Sequence, residues 1–161
     1  QFNAANSPWN ERVTILHTEL KTFADQHKTR QFDTIVCNPP FFENSLKAPD
    51  MARTQARHTD SLTPAALFFY ATKMLSENGK IWLITPADSF NSFLIEAQLN
   101  KLALQQIFNI KPLPDKPVKR IVSAFGFNET EPSKTEMVIE LSRHIYSEEY
   151  IELTKDFYLK F

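Results

Sequence analysis

The stretch FDTIVCNPPFF, Phe32 to Phe42, decides how the chain is read. Its first half, Thr34-Ile35-Val36-Cys37, is an apolar run without alternation, the pattern of a strand covered on both faces in a parallel sheet. Its second half ends that strand abruptly. Pro39 and Pro40 remove two backbone donors and fix two φ angles, so the chain after Cys37 forms a rigid, extended corner and leaves the ladder. The corner either stops the strand and packs Phe41 into the core, or it holds Asn38 and its neighbours at the mouth of the sheet for a chemical task.

Outward from this strand the chain alternates between strand and helix patterns. Phe2 to Arg12 is Ala-containing and helical until Ser7-Pro8, Arg12 to His17 (RVTILH) reads as a β-branched strand, and Thr22 to Arg30 as a loose helical turn. Beyond the corner, Glu43 to Ser61 is polar and without periodicity, and a connection this long is usually functional or disordered. Thr63-Pro64 then opens a helix, with Thr63 as N-cap and Pro64 in the first turn. Leu67, Phe68, Ala71, Met74 and Leu75 form its apolar stripe, and Gly79 is its expected stop. Lys80 to Thr85 is a second buried strand. Asp88 or Ser89 should cap a helix carrying Phe93, Leu94 and Ala97 inward, and Ala103 to Ile110 is a further strand. This alternation predicts an α/β sheet with crossover helices. Lys119 to Phe127 and Lys134 to Leu141, joined by the turn-rich Asn128 to Ser133, read as a C-terminal antiparallel hairpin, and the last residues as a short helix with an extended tail.

Composition bounds the function. At 161 residues with 42% hydrophobic and 12% aromatic content, the chain suits one domain with one core. No stretch approaches the roughly 20 apolar residues of a membrane span, and Gln-Phe-Asn-Ala-Ala-Asn at the start has no signal pattern, so the expected location is cytoplasmic. The single cysteine, Cys37, rules out an internal disulfide and a thiolate zinc cluster. His17, His27 and His144 have no ligand spacing, so no metal is expected. A net charge of -1 gives no overall pull toward nucleic acid, and any such contact must rest on local patches. There are only two glycines, Gly79 and Gly126, where a chain of this length ordinarily carries about eleven. A P-loop or a dinucleotide fingerprint is therefore excluded.

The corner has a specific chemical capacity. The Asn38 side-chain oxygen and the Pro39 carbonyl are acceptors, and Phe41 offers a flat ring. The set suits a planar heterocycle with an exocyclic amine, its ring stacked on Phe41 and its two N–H groups donating to the two oxygens. An arylamine lone pair is delocalised into its ring. Fixing both hydrogens favours a more tetrahedral nitrogen whose lone pair points at an electrophile, which is preorganisation without a strong base. The position after FDTIV and before a long polar loop favours this use over a plain strand stop.

At these residues the chain resembles a known family. FDTIVCNPPFF resembles the NPP(F/Y) element, motif IV, of class I S-adenosylmethionine-dependent amino-methyltransferases. Together with NAANSPWNERV (Asn3 to Val13), ARHTDSLT (Ala56 to Thr63) and EEYIELTKDFYLKF (Glu148 to Phe161), it is similar over nearly the whole chain to the bacterial tRNA1(Val) adenine-N6 methyltransferases. The NPPF element is shared with guanine-N2 and protein-glutamine methyltransferases; the other stretches are the narrower signals. The resemblance implies that Asn38 and Pro39 hold the target amine, Pro40 shapes the corner and Phe41 stacks on the flipped adenine. It also implies S-adenosylmethionine as cofactor and tRNA as partner.

The family's Gly-rich cofactor loop and the strand before it have no counterpart here. The expected architecture is thus an incomplete Rossmann-like class I methyltransferase sheet, a single domain over residues 1–161 truncated at its N-terminus. By the resemblance, Glu19, in the Thr18-Glu19 turn, and Asn38 are what remains of the cofactor site. The strand bearing the corner would have an open edge, which favours self-association. The first reading is a piece of an S-adenosylmethionine-dependent adenine-N6 methyltransferase acting on tRNA, inactive without that loop; its rival, which the missing loop favours, is a non-catalytic RNA-binding remnant. RNA contacts are expected from Lys116, Lys119 and Arg120 in KPLPDKPVKR, and by family analogy from Lys47, Arg53, Arg57 and His58 after the corner.

Overall fold

The computed structural model describes residues 2–40 and 62–158. The strand before the corner is β1, Phe32–Cys37. Four further strands complete its sheet: β2 (Leu75–Pro86), β3 (Ala103–Lys111), β4 (Arg120–Gly126) and β5 (Ser133–Val138). Their order is β1-β2-β4-β3-β5. β1 runs parallel to β2, with Ile35 beside Ile81 and Cys37 beside Leu83. β4 is antiparallel to both β2 and β3, and β5 is parallel to β3. Helices α1 (Phe2–Ala5) and α2 (Leu20–Gln26) precede β1; α3 (Pro64–Met74) and α4 (Phe90–Leu99) flank β2. The chain closes with β6 (Glu140–Ser142), β7 (Ile145–Tyr146) and α5 (Glu148–Thr154).

One face of the sheet carries the core. Ile81, Leu83, Ile121 and Phe125 project from the strands and meet Leu67, Phe68, Ala71, Phe93 and Ala97 of α3 and α4. Phe68 is fully buried and stands edge-on to Phe125 at 5.3 Å and to Phe93 at 6.5 Å, the geometry that ring quadrupoles favour. Truncating such a ring to Ala costs about 3–5 kcal/mol. The start of α3 follows the sequence: Thr63 Oγ1 accepts the Ala66 N–H at 3.2 Å, and Pro64 occupies the first turn.

Several local expectations are corrected. Arg12 to His17 is not a strand, and Val13, Ile15 and Leu16 are exposed. β-branched residues favour a strand only where a neighbouring ladder and a packing surface exist, and this segment finds neither among the described residues. The helix α3 ends at Met74, not at Gly79, because Leu75 is already paired with Phe32 and the Ser76 hydroxyl donates to Asp33 Oδ1 at 2.7 Å. Gly79 has a different task. Between the Phe32/Leu75 and Thr34/Lys80 pairs, β2 advances five residues while β1 advances two, and the bulge presses Gly79 onto β1. A Cβ there would lie 2.7 Å from the Phe32 carbonyl oxygen.

Ser89 stands at the N-cap position of α4, but its side chain makes no capping hydrogen bond. The chain enters through a 3-10 turn, Ala87–Ser89, and Ser89 is already helical. Phe93 and Ala97 are buried as expected, whereas Leu94 is only half-buried. Finally, the segments expected to form a C-terminal hairpin are both strands but not neighbours. β4 returns into the slot between β2 and β3 and is bonded on both sides, so β5 joins the outer edge of β3. The C-terminal antiparallel hairpin is the smaller β6–β7 pair, with Glu140 opposite Tyr146.

Because the atom facing Gly79 is backbone and has no rotamer to yield, Gly79→Ala should lower stability by about 1–3 kcal/mol. Urea unfolding should report this as a lower midpoint with an unchanged slope.

Candidate functional site

In the sheet, β1, β2, β3 and β5 all point the same way, so their C-terminal ends form one edge, and β4 starts from it. The pairing of β1 with β2 ends at Cys37 and Leu83. Asn38 lies one residue further, where Pro39 and Pro40 have no N–H to extend the ladder. Pro39 is buried and anchors the corner, whereas Asn38 and Pro40 are exposed. No hydrogen bond engages the Asn38 amide among the described residues, which leaves its oxygen available to a donor. Phe41, Lys47, Arg53, Arg57 and His58 lie outside the described residues.

The adjoining strand ends supply the rest of the edge. β2 leads into the Ala87–Ser89 turn, and the Ala87 N–H donates to the Lys119 carbonyl at 3.3 Å. Lys119 is fixed in turn by its own N–H, which donates to Ile110 at 2.8 Å, and Arg120 Nη1 donates to the Lys119 carbonyl at 3.1 Å. The structure thus brings Lys119 and Arg120 to the strand end neighbouring the corner. Lys116, further out on the connector, is exposed and pairs with Asp115 at 3.4 Å, a surface contact worth little. Asp88, read from the sequence only as a helix cap, is an exposed carboxylate in the turn between corner and cations. An acid two residues past a strand-ending proline was the available signal for it.

Glu19 sits just before α2 in extended conformation (φ -74°, ψ 148°), exposed and not capping the helix. Leu20 packs against the core cluster, and Phe23, one turn on, lies 6.2 Å from Phe32 at the start of β1. The helix therefore runs away from the C-terminal edge of β1, and Glu19 is at its near end. Cys37 is half-buried on the core face, and burial pushes its thiol above the usual range. Among the described residues no group of three His, Cys, Asp or Glu side chains comes together to hold a metal ion, and no helix is long and apolar enough to cross a membrane.

A nucleoside cofactor needs a close backbone approach, normally provided by glycine. Both glycines are at the opposite edge of the sheet: Gly79 against Phe32 at the start of β1, and Gly126 beside Lys80 and Ala103. Among the described residues, therefore, no glycine lies at the C-terminal edge to cradle S-adenosylmethionine.

With this geometry in place, comparison with known proteins is decisive. Residues 2–113 match the family model of the Eco57I restriction-modification methylase. The tRNA1(Val) (adenine(37)-N6)-methyltransferase of Phocaeicola vulgatus is 42% identical over 157 residues, covering 98% of this chain and 66% of the relative. That of Bacteroides fragilis is 35% identical over 158 residues, covering 98% of this chain and 67% of the relative. The chain belongs to the tRNA1(Val) (adenine(37)-N6)-methyltransferase family. It spans about two thirds of the length of these curated relatives. The solved structure of a predicted O-methyltransferase from Agrobacterium tumefaciens superposes with a TM-score of 0.67 at 15% identity, covering 96% of this chain and 70% of that one. At that identity the likeness concerns the fold alone, and it agrees with the class I methyltransferase sheet expected for this family.

The raised Cys37 thiol is mostly unionised at neutral pH and its nucleophilic form is scarce. A disulfide reagent at pH 8 should therefore modify the folded protein more slowly than free cysteine, and unfolding in urea should restore the free rate.

Proposed function

We propose that this chain carries the substrate-amine half of an S-adenosylmethionine-dependent methyltransferase acting on the N6 amine of an adenine in tRNA, at the position named for its relatives. The observation that supports this most is the exposed amide of Asn38, unengaged among the described residues, at the end of a strand that two prolines cut short. In this reading Asn38 Oδ1 and the Pro39 carbonyl accept the two N6 hydrogens, Pro40 keeps the corner rigid, and Phe41 stacks on the base. The nitrogen is thereby held with its lone pair directed out of the ring plane. S-adenosylmethionine is the donor in this reaction class, supplying an electrophilic methyl group on sulfur. Glu19, exposed at the end of α2 that faces the C-terminal edge of the sheet, is the proposed acceptor for a hydroxyl or amine of that nucleoside.

Lys116, Lys119 and Arg120 are proposed to hold phosphates of the tRNA, together with Arg57 and His58 of the loop after the corner. Such contacts set affinity and register, while the corner sets the chemistry. The relatives' names favour adenine over guanine or glutamine as the amine bearer. For the 161-residue chain alone, the placement of both glycines at the far edge favours RNA binding without turnover. Its location follows that of tRNA, in the cytoplasm. Among the described residues β1 has a neighbour on one side only, and Val36 on it is 77% exposed, which supports pairing with another chain.

Two measurements test the reading. In the complete enzyme, Asn38→Ala should lower methyl transfer from labelled donor to tRNA by about 10²–10³-fold, the usual cost of losing one preorganised polar partner, with tRNA affinity little changed. Undiminished methylation would refute the role of Asn38. In a calorimetric titration, the 161-residue chain should give no saturable heat with S-adenosylmethionine, and micromolar binding would overturn the proposed lack of a cradle.

A further inference from the structure

The C-terminal edge of the sheet does not end at the basic connector. It continues into the unit formed by β6, β7 and α5. Two backbone bonds mount this unit on the start of the connector: the Ile139 N–H donates to the Lys111 carbonyl at 2.9 Å and the Glu140 N–H to the Pro112 carbonyl at 3.0 Å. Ser147 closes it. Its hydroxyl donates to the Val138 carbonyl at 2.6 Å and accepts the Tyr150 N–H at 3.1 Å. The element is therefore held in fixed relation to Lys119 and Arg120.

This unit presents an aromatic surface that the core does not use. Tyr146 and Tyr150 stack with centroids 5.6 Å apart and planes 26° from parallel. Tyr158 follows, 6.5 Å from Tyr150, with the two hydroxyls 3.4 Å apart. Phe157 is 86% exposed and Tyr158 55% exposed. Phe157 and Tyr158 are open to water while Tyr150 behind Tyr158 is half-buried, and a ring held against a neighbour offers a stacking surface at little cost in side-chain entropy.

We propose that Phe157 and Tyr158, with Tyr150 behind them, form a ledge on which an unpaired base of the RNA substrate stacks, across the sheet from the base presented to Asn38. The inference rests on the tRNA reading above and adds a binding element to it. Charge decides the orientation of the strand. Glu148 and Glu149 occupy the first turn of α5, so the phosphate backbone is repelled from the helix itself. The backbone is instead drawn to Lys119 and Arg120, and the base turns inward onto the rings. The contact is tolerant of sequence because every base has a π-face. A duplex, with its bases already stacked, gains nothing from the ledge.

The test compares binding of a fluorescent anticodon stem-loop RNA and a blunt RNA duplex of equal length by the protein and two double variants. Phe157→Ala with Tyr158→Ala should weaken stem-loop binding about 10-fold or more, since one base stack is worth roughly 1–3 kcal/mol. Duplex binding should change less than about two-fold, and the salt dependence should be unaltered because no cation is lost. Tyr150→Phe with Tyr158→Phe, which keeps the rings and removes the hydroxyls, should bind like the parent. Parent-like stem-loop binding by the alanine pair, or equal losses on both RNAs, overturns the ledge while leaving the tRNA reading intact. Failure of the parent protein to bind either RNA overturns both. Circular dichroism melting of each variant confirms that a loss is not unfolding.

Discussion

β4 is the constraint on which the rest of the molecule depends. It is bonded along its length to β2 on one side and to β3 on the other, and it runs against both. A strand paired on both sides gives up none of its backbone groups to water, and its core-facing Ile121 and Phe125 are buried under α3 and α4. Its direction also decides where the chemistry lies. Because β4 begins at the edge where β1 and β2 end, the connector leading into it delivers Lys119 and Arg120 beside the turn that follows β2. A parallel β4 would have placed that connector across the opposite edge. Placement of charge at the site is thus a consequence of one reversal of chain direction.

The division between what was legible from the sequence and what was not has a physical basis. Signals confined to a few residues were reliable. The Thr63-Pro64 cap, the apolar stripe of α3 from Leu67 to Met74, the runs of β1, β2 and β3, and the interruption at Asn38-Pro39-Pro40 depend on local backbone chemistry, and each lies where the pattern put it; Leu75, expected on the stripe, opens β2. Signals that depend on a distant partner were not. RVTILH has strand composition, but composition supplies no neighbour. β4 and β5 are successive in sequence, yet β3 lies between them, since the crossover through α4 leaves a slot between β2 and β3 that β4 fills. Gly79 looked like a helix terminator and is a point of backbone contact with Phe32, forty-seven residues earlier.

The same distinction applies to the site. Asn38 could be found from its place after an apolar strand and before two prolines, although that strand is not covered on both faces as its unbroken run suggested: it lies at the sheet edge with Val36 exposed. Lys116, Lys119 and Arg120 could be found as a cluster, but their proximity to the corner required knowing that the β3–β4 connector opens on the edge where β1 ends. Asp88 was hidden by a competing local interpretation, since an acid before a helix is ordinarily a cap. The tyrosines of the C-terminal unit were visible only as alternation of charge and aromaticity, and their mutual stacking comes from the turn that Ser147 fixes.

The sheet's second face gives the molecule an optical property. Opposite the core, Trp82 lies 6.4 Å from Phe108, and both line an apolar cavity of about 650 Å³ with Val122, Met137 and Leu153. The chain has two tryptophans, and the other, Trp9, is far more open to water. Their emission maxima should differ accordingly, and the bluer component is a built-in gauge of how wet that cavity is. Any body that dries it will announce itself in the spectrum without a label.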